Sequence, residues 1–225
     1  MNWQDNGYLI SKNKYNENSV IAEFFTENRG KVSGLIFGAT SKKIKNYLLI
    51  GNKMHISYSS KNEDKVGYFK VEIVKANTPF FFENKNKLLC ISAVMHLIKL
   101  LTVENQKNSD IFDSIDQYFE ILNHSNWIKK YIFWEFNLLK LIGFDLDLKK
   151  ITQKENINNK VRYYIQSSKE RKYVPNFLIE TELDKIDKTS LLQALKLVSD
   201  FLDKNILKPN NINFPISRLE FFKSI

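Results

Sequence analysis

The stretch NENSVIAEFFTENRGKVSGLIFGATSKKIK, Asn16 to Lys45, decides how this chain is read. From Ser19 to Phe25, Val20, Ala22 and Phe24 fall on one side and Ile21, Glu23 and Phe25 on the other, the period of two of a half-buried strand. Thr26 to Gly30 supplies a turn, with Gly30 free to take a positive φ. Lys31 to Phe37 gives the next strand, in which Gly34 suggests a bulge or bend. A glycine-marked loop carrying Ser41, Lys42, Lys43 and Lys45 follows. The stretch holds no catalytic constellation; it reads as a β-hairpin whose far end offers positive charge to an anionic partner.

Working outward, Gly7 to Lys14 reads as a preceding strand. A fourth opens at Gly51, with Met54, Ile56 and Tyr58 alternating against His55 and Ser57, and a polar loop from Ser59 to Lys65 leads to a fifth, Gly67 to Lys75. Five short strands must curl to hide their edges. A small barrel results, of OB or SH3-like type, and the pattern alone does not choose between them. After Thr78-Pro79 the period becomes 3.6. Helices are expected over Asn86–Val103, from a Ser109 or Asp110 cap, from Ser125 to Ile142 with Gly143 at C′, and from Asp187 or Thr189, with a short last turn at Ser217–Lys223. The fold class is therefore α+β: a barrel at 1–78 followed by an all-helical domain at 79–225. That domain is interrupted at about 149–175 by an irregular insertion, mostly polar, in which Ile157 and the run Val161 to Ile165 could form a short hairpin.

The 225 residues are 43% hydrophobic and 13% aromatic, enough to bury a core. No apolar run reaches the roughly 18 residues that span a bilayer, and the opening MNWQDNGYLISKNK lacks the basic flank and apolar core of a secretory signal. A cytoplasmic protein is expected. The net charge of +9 points to an anionic partner. Lys, Asn and Ile are abundant throughout, however, so charge counts only where it clusters.

The search for chemistry is mostly negative. His55, His96 and His124 have no paired spacing, and the single Cys90 excludes a cysteine-built zinc site, so no metal is expected. Asp145 and Asp147 would serve a Mg²⁺-dependent nuclease only with further acids; they read better as the solvent side of a short extended segment. GLIFG matches no phosphate loop and no serine sits in a GxSxG elbow. What remains is basic. Arg29 and Lys31 flank Gly30, and Lys42, Lys43 and Lys45 follow the next strand; on a shared rim these five would track a phosphate backbone, with Tyr15, Phe37 or Tyr47 stacking on bases. A second basic and aromatic group, Arg162, Lys169, Arg171 and Lys172 with Tyr163, Tyr164 and Tyr173, lies in the insertion.

Several of these segments together resemble a known family. Trp3, Asp5 and Gly7 lead into Leu9-x-Ser11; then come Glu17-x-Ser19, Phe25-Thr26-Glu27-x-x-Gly30-Lys31, Gly38-Ala39-x-Ser41-Lys42 and Leu49-x-x-Gly51-Asn52. Glu135-Phe136-x-Leu138-Leu139 runs on to Gly143-Phe144-x-Leu146-Asp147-Leu148, and Leu207-Lys208-Pro209 and Pro215-Ile216-Ser217-Arg218 close the chain. In this order and spacing they resemble the RecO family of recombination mediators, in its proteobacterial form.

The resemblance implies an OB-fold followed by a helical domain, no enzymatic activity and no cofactor. It implies binding and annealing of single- and double-stranded DNA. It also implies partnership with RecR, with RecF in the wider pathway, and loading of RecA onto DNA coated by single-strand-binding protein. The acidic tail of that protein would need an apolar pocket ringed by cations, for which Lys129, Lys130 and Lys140 are candidates. The chain departs from the family at Lys149 to Gln153, where many members carry cysteines, some of them binding zinc, and this one has none. An OB-fold adaptor with little direct DNA affinity is the alternative expectation.

Overall fold

The computed structural model describes residues 1–61, 66–157, 160–166, 170–180 and 186–225, so Lys169 and most of the Ser59–Lys65 loop lie outside the described residues. In chain order the elements are β1 (Asn2–Lys14), β2 (Ser19–Thr26), β3 (Gly30–Phe37), α1 (Lys42–Tyr47), β4 (Lys53–Ser59) and β5 (Tyr68–Lys75). There follow α2 (Lys85–Leu101), α3 (Ser109–Ile121), α4 (Trp127–Leu141) and α5 (Leu148–Ile151). Then come β6 (Gln153–Ile157), β7 (Lys160–Gln166), β8 (Arg171–Val174), α6 (Lys188–Leu202) and α7 (Ile216–Ser224). Two compact units result: Met1–Phe119 with Pro215–Ser224, and Glu120–Phe214 with Ile225.

In the first unit the five strands close into a barrel in the order β1-β2-β3-β5-β4. β1 reaches this closure by serving two neighbours: Asn2 to Tyr8 pairs with β4, Gly7 to Lys14 pairs with β2, and a register shift between Leu9 and Ser11 lets it turn. It starts five residues before the expected Gly7: Asn2 to Asn6 have little of a strand's composition, but their backbone pairs with β4 from Ser59 to His55. Leu9, Ala22, Phe24, Val32, Ile36, Met54, Ile56, Phe69 and Val71 fill the interior.

Gly34 is not a bulge: the β2–β3 register runs through Ala22↔Gly34 without a shift. Its missing side chain makes room for Phe69, whose ring atoms would lie 2.6–2.9 Å from an added Cβ. Gly34→Ala is therefore expected to cost about 1–3 kcal/mol by overpacking, seen as a lowered urea midpoint with the fold retained.

The composition changes at Thr78, but the compact unit continues to Phe119 because α2 and α3 lie on the barrel's outer surface. Gly51, at φ +92°, admits Ile91 and Phe119 where a Cβ would clash. The Asp116 carboxylate accepts a hydrogen bond from the Tyr8 hydroxyl and an ion pair from Lys53 at 2.9 Å. Buried Asn52 ties the barrel to the following segment, donating to the Tyr47 carbonyl at 2.9 Å and accepting from the Thr78 amide at 3.0 Å. α2 carries buried residues around much of its circumference, including Cys90, Val94 and Ile98. α7 packs on it, with the Ser217 hydroxyl 2.8 Å from His96 Nδ1. Burial first, then nearby Lys99, holds His96 below its usual pKa.

The cap of α3 is Asn108, whose side chain accepts from the Ile111 amide at 3.0 Å, and not the expected Ser109 or Asp110. Ser125 likewise gives way to Asn126 before α4. Asp187 does cap α6, and Gly143 sits past α4 at φ +96°.

The second unit corrects the expectation of an all-helical domain with an irregular insertion. β6, β7 and β8 form a three-stranded antiparallel sheet in that order. The alternation Val161, Tyr163, Ile165 against Arg162, Tyr164, Gln166 carries it; polar residues dominate because only one face is covered. Packing and hydrogen bonds hold the sheet in place. Val174, Phe177 and Leu178 are buried, Asn176 donates to the Val161 carbonyl at 2.9 Å, and Tyr163 donates to Glu180 at 2.7 Å.

Candidate nucleic-acid interface

The expected glycine-marked loop after β3 turns out to contain a short helix, α1. Ser41 caps it by accepting from the Ile44 amide at 3.4 Å, and Ile44 and Tyr47 pack against the barrel interior with Leu48 fully inside. That spacing of apolar residues leaves Lys42, Lys43 and Lys45 exposed. Their field reaches Lys12, whose pKa is lowered by burial and then by Lys45; its ammonium donates to the Leu48 carbonyl at 2.5 Å.

The end of the barrel from which α1 starts also gathers aromatic side chains. The β1–β2 turn meets the β3 exit there: the Ala39 amide donates to the Asn18 carbonyl at 3.1 Å, and Thr40 to the Asn18 side chain at 2.9 Å. Ser19 pairs with Phe37, and Leu35 with Tyr68 on β5. Tyr15, Phe37 and Tyr68 are 60%, 58% and 39% exposed, with the Phe37 and Tyr68 rings 6.1 Å apart. Large aromatic rings left in water beside cations are suited to stack on nucleobases while the cations take phosphates. Tyr68 was not singled out from the sequence, although its outward position at the start of an alternating strand was the available signal.

The five cations do not share a rim. Arg29 and Lys31 stand at the turn end of the β2–β3 hairpin, while Lys42, Lys43 and Lys45 follow its open end, roughly 20 Å away at about 3.3 Å per residue. Leaving one strand for the next reverses direction, so a turn and the following connection emerge at opposite ends. Both turn cations are also occupied: the Arg29 guanidinium lies 4.9 Å from the Trp3 ring centroid, and Lys31 Nζ donates to the Lys99 carbonyl at 2.9 Å, at the end of α2. Tyr47 is withdrawn as well. Its hydroxyl donates to the Val71 carbonyl at 3.2 Å, and burial followed by Glu72 holds the phenol above its usual pKa.

In the second unit Lys129, Lys130 and Lys140 lie on α4. Lys140 is separated from the other two by about 15 Å of helix rise, and its ammonium faces Asp145 at 3.9 Å. Lys129 lines a cleft of about 280 Å³ with Ile128, Ile186 and Leu191. Asp147 caps α5, accepting from the Lys150 amide, and pairs with the Lys150 ammonium at 3.1 Å. Hydrogen bonding to Lys150 holds its carboxyl below the usual range, a structural role. Among the described residues no three His, Cys, Asp or Glu side chains converge as a metal site would require, and no helix is long and apolar enough to cross a membrane.

Comparison with known proteins gives this arrangement a context. The family model "Recombination protein O N terminal" matches residues 1–77, and "Recombination protein O C terminal" matches 83–211. The DNA repair protein RecO of Rickettsia canadensis is 30% identical over 224 residues, covering 93% of this chain and 91% of its own. That of Rickettsia typhi is 30% identical over 222 residues, covering 93% of each chain. The DNA repair protein RecO of the Wolbachia of Drosophila simulans is 26% identical over 233 residues, covering 96% of each. Matched across both halves, the chain belongs to the RecO family of DNA repair proteins.

Proposed function

We propose that this chain is a non-enzymatic mediator of DNA repair by recombination, that its barrel is an OB-fold, and that the α1 end of the barrel holds single-stranded DNA. The observation that carries the reading is the placement of Tyr15, Phe37 and Tyr68 at the barrel end from which the exposed lysines of α1 follow. The strand order β1-β2-β3-β5-β4 with a helix between the third and fourth strands supports the fold assignment. Aromatic planes take bases of any sequence, and lysines replace condensed counterions along the backbone, so binding is tolerant of sequence and sensitive to salt.

The mechanism follows from charge. Two complementary strands repel through their phosphates; a basic protein that neutralises both lowers that repulsion and lets base pairing supply the driving force. No nucleotide is consumed. The acidic tail of single-strand-binding protein would dock in the cleft beside Lys129, where Ile128, Ile186 and Leu191 offer an apolar floor. With RecR, and RecF upstream, the same chain would help RecA displace that protein from DNA.

The test is annealing of two labelled complementary oligonucleotides followed by energy transfer, without ATP and with EDTA present. Acceleration by the protein under those conditions is the expected result. A requirement for nucleotide, or strand cleavage on adding Mg²⁺, would count against the reading.

A further inference from the structure

We propose that the three-stranded sheet of the second unit is a separate stacking surface for single-stranded nucleic acid, beyond the barrel site and not dependent on it. The register decides which side chains share its open face. Glu155 pairs with Arg162, Gln153 with Tyr164, Tyr164 with Tyr173, and Gln166 with Arg171. Side chains alternate across a strand, so Arg162, Tyr164, Arg171 and Tyr173 lie together on one face. The other face is spent on packing: Val174 is buried, Tyr163 reaches Glu180, and Lys172 pairs with Asp200 at 2.7 Å.

On the open face, guanidinium and phenol planes alternate. Arg171 lies over the Tyr164 ring, 3.4 Å from its centroid, and is held there by Glu155. Tyr173 is 47% exposed, with Arg162 at 5.8 Å and Arg171 at 5.6 Å from its ring centroid. A purely structural staple would need only the Arg171–Tyr164 contact with Glu155. It would not need an exposed Tyr173 flanked by a second arginine.

Among the described residues the one carboxylate of these strands on this face, Glu155, is engaged by Arg171, and Arg162 and Lys160 offer positive charge toward an anionic partner. Flat side-chain planes accept unpaired bases, whereas a duplex offers only its backbone to such a surface. A cleft of about 740 Å³ opens beside Arg162 and Tyr173, lined also by Asn176, Ser190 and Gln193, within the size range of small-ligand sites. It gives a base adjoining the stack somewhere to go. The occupant we assign is therefore single-stranded DNA or RNA rather than duplex or an acidic peptide.

The experiment uses the full chain and a fluorescein-labelled oligothymidylate of about 20 nucleotides, read by anisotropy beside a duplex of equal length. The double variant Arg162→Ala/Tyr173→Ala should lose at least about fivefold in single-strand affinity, the lower bound for one base–aromatic stack. Tyr173→Phe should retain affinity, because the ring and not the hydroxyl does the stacking. Bromodeoxyuridine photo-crosslinks on the wild-type chain should map in part to β7 and β8.

Unchanged affinity in the folded double variant would overturn the proposal. So would an equal loss for duplex, a Tyr173→Phe loss matching that of alanine, or crosslinks confined to the barrel. Should the double variant fail to fold, Tyr173→Phe and the wild-type crosslinks still decide. Loss on replacing Lys42, Lys43 and Lys45 with no loss on the sheet removes this proposal and leaves the barrel reading intact; the reverse pattern removes the barrel reading and leaves this one.

Discussion

Replacing Lys42, Lys43 and Lys45 together with glutamine is expected to weaken single-stranded DNA binding by about 10- to 100-fold at low salt, the scale of three lost charge-assisted phosphate contacts. The slope of log affinity against log salt should become shallower by about 2, since each single-strand phosphate contact contributes about 0.7. Stability should stay within about 0.5 kcal/mol, as expected for surface changes that touch no cap or core contact. α1 is held by Ser41, Ile44 and Tyr47, none of which is altered. Lys31→Gln is the matching control. Its ammonium is bound to the Lys99 carbonyl at the far end of the hairpin, so that variant should affect melting more than DNA affinity. Anisotropy titrations and thermal melts on the same preparations separate the two effects.

Gly30→Ala should produce the largest loss of stability, about 2–5 kcal/mol, from two separate costs. One is conformational: Gly30 sits at φ +66°, where a side chain is strained. The other is steric, because an added Cβ would lie 1.8 Å from the Gln106 carbonyl oxygen, which is backbone and cannot rotate away. Relief would require moving the 104–106 segment, and with it the hydrogen bond from the Asn105 amide to the Lys31 carbonyl at 2.8 Å. The turn has little give on its other side either. Buried Thr26 donates to the Gly30 carbonyl at 3.1 Å, and Asp5 accepts from the Asn28 amide at 2.9 Å. Gly38→Ala makes the comparison. It carries a similar φ of +69°, but its nearest neighbour would be the Ile44 Cδ1 at 3.8 Å, so only the conformational cost of about 1 kcal/mol applies. Equal destabilisation of the two variants by urea unfolding would contradict this account of the turn.

Residues with local causes were readable from the sequence. The β2–β3 hairpin follows from its period of two, Gly30 and Gly143 from turn and cap chemistry, and the Asp187 cap from its place before an apolar run. What escaped had causes elsewhere in the chain. α1 is too short for a period to show, although Ser41, Ile44, Tyr47 and Leu48 already had the spacing of a capped helix with one apolar side. The first residues of β1 are polar apart from Trp3, and what makes them a strand is backbone pairing with β4 rather than a pattern of their own. The sheet at β6 to β8 was obscured by its polar residues, which dominate because only one face is covered. Lys31 and Tyr47 carried the right chemistry for a DNA site, but their destinations, a helix-end carbonyl and a β5 carbonyl, are tertiary facts. Strand direction could have separated Arg29 and Lys31 from the α1 lysines beforehand, since consecutive connections of a hairpin emerge at opposite ends.

The central claim is electrostatic and stacking recognition of single strands by a basic barrel, and salt titration of the wild-type chain tests it most directly. Affinity for a single-stranded oligonucleotide should fall linearly with log salt, with a slope of about −2 or steeper, corresponding to three or more phosphates at about 0.7 each. An affinity indifferent to salt, or no measurable single-strand binding at low salt, would contradict the account and favour an adaptor whose partners are proteins.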